Sequence, residues 1–217
     1  MPPVTSLFSP LRRPVAIALV ALSLFAAGCV KSTDPALNPR TIMGPSTLSA
    51  DQLVLYFEFK KPPGAPKLTT TIQLLAQHFI DEGHIEGVRG DIAFAQSVIE
   101  TGWFLYGGQV DWTQNNFSGI GATDSGEAGA TFPNAAEGVR AQIQHLRAYA
   151  DPTATKCASP PLYTACVDPR FDKVDPKGKA PSWEQMGYGN WATDQFYALK
   201  IVGLYNEMRT FYGIAPI

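Results

Sequence analysis

Hydrophobic residues recur at helical spacing along most of the chain beyond residue 45, and turn residues separate the stretches. A capping box at residues 49–52 indicates where the first helix begins, and Gly83 would end the second. The pattern predicts helices over about residues 50–59, 70–82, 88–101 and 134–150, a short helix over 183–186, and a last helix that follows Trp191 and runs to about 211. Residues 107–129 are rich in turn formers and predict a loop or short hairpin. The fold class is therefore mainly α, with at most a small β-hairpin.

The third predicted helix ends with an acidic residue on its apolar face. Glu100 shares a helical stripe with Gln96 and Ile99, and Gly102 is a natural residue to end the helix. Burial and the negative end of the helix dipole both disfavour an ionised carboxylate, so the pKa of Glu100 should rise. A carboxyl group protonated near neutral pH can protonate the leaving oxygen of a glycoside. The alternative is a frayed helix end with Glu100 in solvent.

Aromatic and amide side chains follow Glu100 along the chain. Asn115 and Asn116 offer amide donors and acceptors, while Trp103 and Phe117 offer flat apolar faces. A sugar-binding site needs amides for hydroxyl and N-acetyl groups and aromatic faces for the C–H side of the ring. The same aromatic residues also suit a core, and the same asparagines also suit a turn, so the sequence leaves both interpretations open.

The first 28 residues have the pattern of an export signal. A pair of arginines precedes an apolar run at residues 15–27, which is too short to span a membrane comfortably. Residues 26–29 (AAGC) resemble a bacterial lipobox, which implies cleavage before Cys29 and lipid attachment to its sulfur. Residues 29–45 are polar and proline-containing and predict a flexible tether, so the domain would span residues 46–217. We expect an exported lipoprotein of the bacterial cell envelope, periplasmic or on the outer surface, with plain secretion as the alternative.

Composition narrows the function classes further. A chain of 217 residues with 45% hydrophobic residues is long enough to bury one hydrophobic core. Its formal charge of −2 argues against a nucleic-acid partner. Cys157 and Cys166 lie nine residues apart and predict a loop-closing disulfide in an oxidising compartment. The three histidines lack ligand spacing to a cysteine, so neither a metal site nor a cofactor is expected. The sequence does not indicate an oligomeric state.

Three segments together resemble the bacterial glucosaminidase family, the endo-β-N-acetylglucosaminidase domains of cell-wall hydrolases (glycoside hydrolase family 73). They are residues 95–103 (AQSVIETGW), 115–120 (NNFSGI) and 191–197 (WATDQFY), and they keep the family's order and spacing across about 110 residues. The resemblance implies a lysozyme-like helical fold with a groove, in which Glu100 is the general acid that cleaves β-1,4 bonds after N-acetylglucosamine in peptidoglycan. The implied substrate-binding residues are Trp103, Asn115, Asn116, Phe117, Trp191 and Tyr197.

Two positions depart from the family's pattern, and a second catalytic carboxylate is hard to place. Trp191 stands where the family usually has tyrosine, and Ser118 separates Phe117 from the glycine that usually follows it directly. Some family members carry a second carboxylate on the hairpin, where this chain offers Glu127 or Asp124; each also suits a solvated turn. The acetamido group of the substrate, or a water molecule positioned by neutral groups, would otherwise take that role. A peptidoglycan-binding lipoprotein without catalysis and a lytic transglycosylase are the rival functions.

Overall fold

Five α-helices make up the framework of the computed structural model, which describes residues 40–122, 126–155, 157 and 165–217. The α-helices are α1 (Ala50–Lys60), α2 (Ile72–Glu86), α3 (Gly90–Glu100), α4 (Ala135–Ala150) and α5 (Tyr197–Phe211). Three short 3-10 helices accompany them, at Trp112–Gln114, Phe171–Lys173 and Trp183–Met186. Within the described residues there are isolated β-bridges and no strand, so the mainly α class is confirmed and the hairpin is reduced to a bridge between Ala122 and Ala128.

Helix α3 lies at the centre of the fold because its sequence is apolar or small almost all the way round. Every residue from Gly90 to Val98 is buried. The ring of Phe94 packs edge-on against Phe57 and Phe79, with centroid distances of 6.5 Å and 5.8 Å. Gly90 lets α3 cross α2 closely, since a β-carbon there would come within 2.0 Å of the Phe79 carbonyl oxygen. The central helix therefore has little freedom to shift relative to the core.

A buried carboxylate fixes the first turn of α3. Oδ2 of Asp91 accepts hydrogen bonds from the backbone N–H groups of Thr47 and Leu48, at 2.6 Å and 3.1 Å. It also accepts one from the hydroxyl group of Tyr205 in α5. An acidic residue in a first helical turn is favoured by the helix dipole as well. Asp91 thus ties α3 to α5 and to the segment before α1, and so sets where the other end of α3, at Glu100, must lie.

The helix boundaries follow the sequence pattern at some ends and depart from it at others. The capping box of Ser49 and Gln52 begins α1 as predicted. Gly83 does not end α2, which continues to Glu86 and ends at Gly87, where φ is 71°. A β-carbon at Gly83 would come within 2.8 Å of the backbone of Gly90, so this glycine serves a close approach between helices rather than a helix end. Helix α5 begins only at Tyr197, and the residues from Trp191 onward lead into it without being helical.

The remaining sequence predictions concern the N-terminal segment and the disulfide. The predicted export signal, Cys29 and most of the predicted tether lie outside the described residues. Among the helices that the structure describes, none is both long and apolar enough to cross a membrane. The predicted disulfide between Cys157 and Cys166 is present, with a Cα–Cα distance of 5.4 Å.

Candidate active site

The end of α3 places Glu100 at the edge of the core. The N–H of Gly102 binds the carbonyl of Ile99 at 3.2 Å, and the N–H of Trp103 binds that of Val98 at 2.7 Å, which together form a Schellman motif. Gly102 has a φ of 56°, the left-handed conformation that this motif requires, so its predicted role in ending the helix is confirmed. Trp103 also has a positive φ of 64°. The chain therefore turns sharply away from the helix and leaves the last helical residue facing a groove.

This groove has a volume of about 800 Å³, within the usual range for ligand sites. Three segments form its walls: the chain after α3, the loop that follows the Trp112–Gln114 helix, and the residues before α5. The lining residues include Glu100, Thr101, Gly102, Tyr106 to Val110, Asn116, Ser118, Gly119, Ala122, and Trp191 to Thr193. Glu100 contributes the only carboxylate among the described residues that line the groove.

The carboxyl group of Glu100 has two opposing influences on its protonation. Its pKa is raised because the surrounding protein withdraws the group from bulk water, and this influence is the largest. Hydrogen bonds from the Tyr197 hydroxyl and the Trp191 indole act in the opposite direction, since they favour the ionised form. The side chain is exposed toward the groove, so Glu100 is not fully buried on the apolar face of α3 as expected, whereas its pKa is raised as expected. It is enclosed by protein on its other sides and reachable from the groove.

A line of buried hydrogen bonds runs behind Glu100 through α3, α4 and α5. The Ser97 hydroxyl donates to Oε1 of Gln142 at 2.9 Å, and Nε2 of Gln142 donates to Oε1 of Gln96 at 2.8 Å. Nε2 of Gln96 then donates to the hydroxyl oxygen of Tyr197 at 2.7 Å, and Tyr197 donates to Oε1 of Glu100. In this line each group accepts from the one before it and donates to the next, so these four hydrogen bonds run toward Glu100. The Ser97 hydroxyl and the Gln142 amide also lie 3.2 Å from the Ala93 carbonyl oxygen. The network fixes both the position of the carboxyl group and the direction of the phenolic proton.

Trp191 forms one wall of the groove and is held there by an aromatic cluster. Its ring centroid lies 5.0 Å from that of His145 and 5.8 Å from that of Tyr149, both on α4. Nδ1 of His145 is 2.8 Å from Oδ2 of the buried Asp168, which fixes the orientation of the imidazole. The Tyr149 hydroxyl donates to the carbonyl of Asn190 at 2.7 Å, directly before Trp191. The indole is thus positioned both by its neighbouring backbone and by the rings beneath it.

The side-chain amides of Asn115 and Asn116 form hydrogen bonds within the fold. Nδ2 of Asn116 donates to the carbonyls of Ile120 and Ala130, at 2.9 Å and 3.0 Å, so the residue lines the groove while it holds the loop closed. Asn115 is buried, donates to the Phe132 carbonyl at 3.0 Å and accepts from the Thr69 hydroxyl. Both asparagines therefore act as turn residues, which was one of the two interpretations that the sequence left open. Only Asn116 also lies at the groove.

Trp103 and Phe117 pack with the core. Phe117 is 1% exposed, and its ring lies 6.4 Å from that of Phe79 and 6.3 Å from that of Phe104. The Trp103 ring packs 5.7 Å from Phe57. Neither is among the described residues that line the groove. Of the predicted substrate-binding residues, the structure brings Asn116 and Trp191 to the groove, places Tyr197 directly behind Glu100, and leaves the other three in or against the core.

The candidates for a second carboxylate do not join Glu100. Glu127 is exposed, one residue before the bridge at Ala128, and it is not among the described residues that line the groove. Asp124 lies outside the described residues. The role of Glu127 stays a prediction. No group of three or more potential metal ligands was found in the part of the chain that the structure describes.

Sequence reasoning missed some groove and network residues. Tyr106 and Ser118 line the groove, and Gln142 carries the hydrogen bonds behind it. Gln142 sits next to Ile143 on the inner side of α4, so a polar residue at a buried helical position was the available signal. Tyr106, which has a φ of 54°, had no such signal in the sequence.

Comparison with known proteins places this site in a family. The sequence model of the glucosaminidase family, described as mannosyl-glycoprotein endo-beta-N-acetylglucosaminidase, matches residues 76–210, which include Glu100, Trp191 and Tyr197. An uncharacterized protein of Borreliella burgdorferi (strain B31) is 41% identical over 137 residues. The matched region covers 63% of this chain and 63% of that relative, so the chain spans less than two thirds of its length.

Proposed function

Because the chain belongs to the glucosaminidase family, we propose that it is a peptidoglycan hydrolase that cleaves β-1,4 bonds after N-acetylglucosamine. Glu100 would be the general acid. The observation that carries this proposal is the placement of the Glu100 carboxyl group: it faces a groove, its pKa is raised by the surrounding protein, and it is held by Tyr197. A proton donor to a glycosidic oxygen needs these properties.

The hydrogen bonds at Glu100 suit both halves of a proton transfer. Before the transfer, desolvation raises the pKa of Glu100 and so favours the protonated carboxyl group, which can donate to the leaving oxygen. After it, the Tyr197 hydroxyl and the Trp191 indole stabilise the carboxylate that remains. Because burial raises the pKa of Tyr197 well above its usual value, the phenol keeps its own proton and serves as a donor throughout.

The substrate would reach Glu100 along the groove, with the Trp191 ring as an apolar wall. An indole face suits the C–H side of a sugar ring, whereas the tyrosine that the family usually has would add a hydroxyl. The predicted partners are peptidoglycan glycan strands and, through lipid on Cys29, a membrane of the cell envelope. Mass spectrometry of the mature protein tests the second part: Cys29 should carry diacylglycerol, and an unmodified thiol would contradict the anchor.

A lytic transglycosylase is the second candidate, because it needs a single catalytic acid and Glu100 is the only carboxylate among the described groove residues. Product analysis separates the functions. Purified peptidoglycan digested with the protein should release fragments with reducing N-acetylglucosamine ends. Anhydro-muramyl ends would instead assign transglycosylase activity, and binding of sacculi without any release would assign a non-catalytic binding protein.

A further inference from the structure

A second hollow, of about 410 Å³, lies between α1 and α5. Its described lining residues are Tyr56, Phe59, Lys60, Gly203, Asn206, Glu207, Thr210 and Phe211. None of them lines the groove at Glu100. Tyr197, which binds Glu100, begins α5, and Phe211 ends the same helix about 21 Å further along its axis. The hollow is therefore separate from the candidate active site.

Large apolar side chains beside this hollow are exposed. Phe59 is 70% exposed, Leu55, one helical turn before it on α1, is 58% exposed, and Phe211 of α5 is 42% exposed. The ring centroids of Phe59 and Phe211 lie 5.0 Å apart, so the two helices contribute to one surface. We call Leu55, Phe59 and Phe211 the α1–α5 patch. A contiguous exposed apolar patch is typical of a surface that binds another protein or a membrane.

The charged side chains around the patch pair with one another. Nζ of Lys60 lies 3.0 Å from Oε2 of Glu207, and Nζ of Lys61 lies 2.8 Å from Oε2 of Glu58. Each of these cations thus has an acidic partner, and the four charges sum to zero. The patch is therefore suited to an apolar partner rather than to a strongly charged one.

The N-terminal end of the described domain lies beside the same hollow. Nη2 of Arg40 donates to the carbonyl oxygen of Ile217 at 3.1 Å. Asn206, which lines the hollow, donates to that same oxygen at 3.3 Å and accepts from the Ile217 N–H at 2.8 Å. A single residue therefore separates Arg40 from the wall of the hollow.

The short stretch of chain before Arg40 limits how far the domain can move from a lipid on Cys29. Residues 29 to 40 span at most about 40 Å when fully extended. A surface next to the point where this tether joins the domain is held close to the bilayer, at a high effective concentration. Phenylalanine and leucine side chains bury readily at the boundary between lipid headgroups and acyl chains.

We propose that the α1–α5 patch is a membrane-docking surface, and that Leu55, Phe59 and Phe211 enter the interface of the bilayer that holds the lipid on Cys29. This inference rests on the lipid anchor given under the proposed function. The lipid keeps the protein at the membrane, and the patch sets the orientation of the domain there. The groove at Glu100 remains available to glycan strands, because other residues line it.

The test places a fluorescent probe in the hollow of the mature, lipidated protein. Gly203→Cys provides the position, because a β-carbon there meets nothing within 4 Å, and an NBD label on it reports the polarity around it. In vesicles of phosphatidylethanolamine and phosphatidylglycerol, its emission maximum should shift to shorter wavelength, and doxyl-labelled lipids should quench it. The same label on Ile85→Cys, an exposed position of α2 outside the hollow, should show neither effect.

A double variant removes the most exposed part of the patch. Leu55→Ser with Phe59→Ser should abolish the shift of the Gly203 probe on vesicles. Both side chains are mostly exposed, so the melting temperature should show an intact fold. Leu74→Ser is the matched control, because it removes a leucine of α2 that is 52% exposed and does not line the hollow. It should leave the shift unchanged.

Three results would overturn the proposal. The first is a Gly203 probe that emits on vesicles as it does in water. The second is a shift that survives Leu55→Ser with Phe59→Ser. The third is a shift that appears without vesicles and grows with protein concentration, since this would assign the patch to contact with a second copy of the chain.

Failure of this inference is distinct from failure of the proposed function. If mass spectrometry shows lipid on Cys29 while the Gly203 probe stays in water, only the docking surface is refuted. An unmodified thiol on Cys29 would refute the anchor, and the docking surface with it. Cleavage of peptidoglycan that is lost on Glu100→Gln would support the hydrolase in every one of these cases.

Discussion

At the scale of single residues, the chemistry depends on how one carboxyl group is surrounded. Desolvation raises the pKa of Glu100, and the hydrogen bonds from Tyr197 and Trp191 lower it by less. The rate of acid catalysis should therefore fall as the pH rises through the raised pKa, because the proton to be donated is then lost. Mutation of either hydrogen-bond donor should therefore shift the pH at which the rate of acid catalysis falls.

Tyr197→Phe removes the phenolic donor and keeps the ring. Since that hydrogen bond favours ionised Glu100, its loss should raise the pKa of Glu100 and move the alkaline limb of the pH–rate profile to higher pH. The measurement is the initial rate of peptidoglycan cleavage as a function of pH.

Tyr56→Phe is the matched control, because Tyr56 donates to Glu207 at 2.8 Å and neither residue lines the groove. It should leave the profile where it is. A limb that stays fixed or moves to lower pH in Tyr197→Phe would contradict the role given to the tyrosine.

Glu127→Gln tests the second carboxylate. Glu127 is exposed and does not line the groove within the described residues, so we expect cleavage rates to stay within about tenfold of the wild type. The acetamido group of the substrate or a positioned water molecule would then complete the reaction. A loss as large as that caused by Glu100→Gln would instead give Glu127 a catalytic role.

At the scale of elements, the groove depends on how a loop is packed against a helix. A β-carbon at Gly138 of α4 would come within 1.8 Å of the Asn115 carbonyl oxygen and 3.2 Å of the Phe117 ring. The missing side chain lets the Asn115–Asn116 turn lie directly on the helix. The position of the loop wall therefore depends on a glycine inside α4, although glycine is a poor helix former.

Gly138→Ala should destabilise the protein by roughly 1–3 kcal/mol and weaken cleavage, because the clash is with backbone atoms that cannot rotate away. Gly203→Ala in α5 is the control, since a β-carbon there meets nothing within 4 Å. That change should stabilise the helix by up to about 1 kcal/mol. Chemical denaturation measures both, and equal stability of the two variants would contradict the packing argument.

At the scale of the whole molecule, a disulfide anchors the segment that supports the Trp191 wall. Sγ of Cys157 lies 3.6 Å from the carbonyl oxygen of Asp168, whose carboxylate holds His145 beneath Trp191. Oε1 of Gln144 accepts the N–H groups of Val167 and Asp168, at 2.9 Å and 3.3 Å. The same segment is thus fixed covalently and by α4.

Replacing both cysteines with serine should lower the free energy of unfolding by roughly 2–3 kcal/mol, because the closed loop is nine residues long and restricts the unfolded chain. Denaturant unfolding of the double variant measures the change. Reduction of the wild type should reproduce it, and an unchanged transition in both would contradict a stabilising role.

How much the sequence predicted depends on whether a feature is local. The capping box at Ser49 and the left-handed Gly102 are determined by a few adjacent residues, and both were predictable. Gly83 was not, since its role is to let α2 approach Gly90, a contact between helices that periodicity does not encode.

The residues of the candidate site show the same difference between local features and contacts made by distant parts of the chain. Glu100 could be located because its type and its place at a helix end are local features. The roles of Trp103 and Phe117 could not, because an aromatic residue after the helix serves the core or the groove depending on the turn taken at Gly102. Tyr106 and Ser118 lie at the groove because of the loop conformation. The sequence marked Ser118 only as a departure from the family's pattern, and it gave no indication of Tyr106.

Digestion of purified peptidoglycan by wild type and by Glu100→Gln tests the central claim most directly. Glutamine keeps the shape and can still accept the Tyr197 hydrogen bond, but it has no acidic proton to give. We predict that glycan fragments from the variant fall by about 100-fold or more, while its circular dichroism and melting temperature show an intact fold. Release of fragments at the wild-type rate by the folded variant would contradict the account.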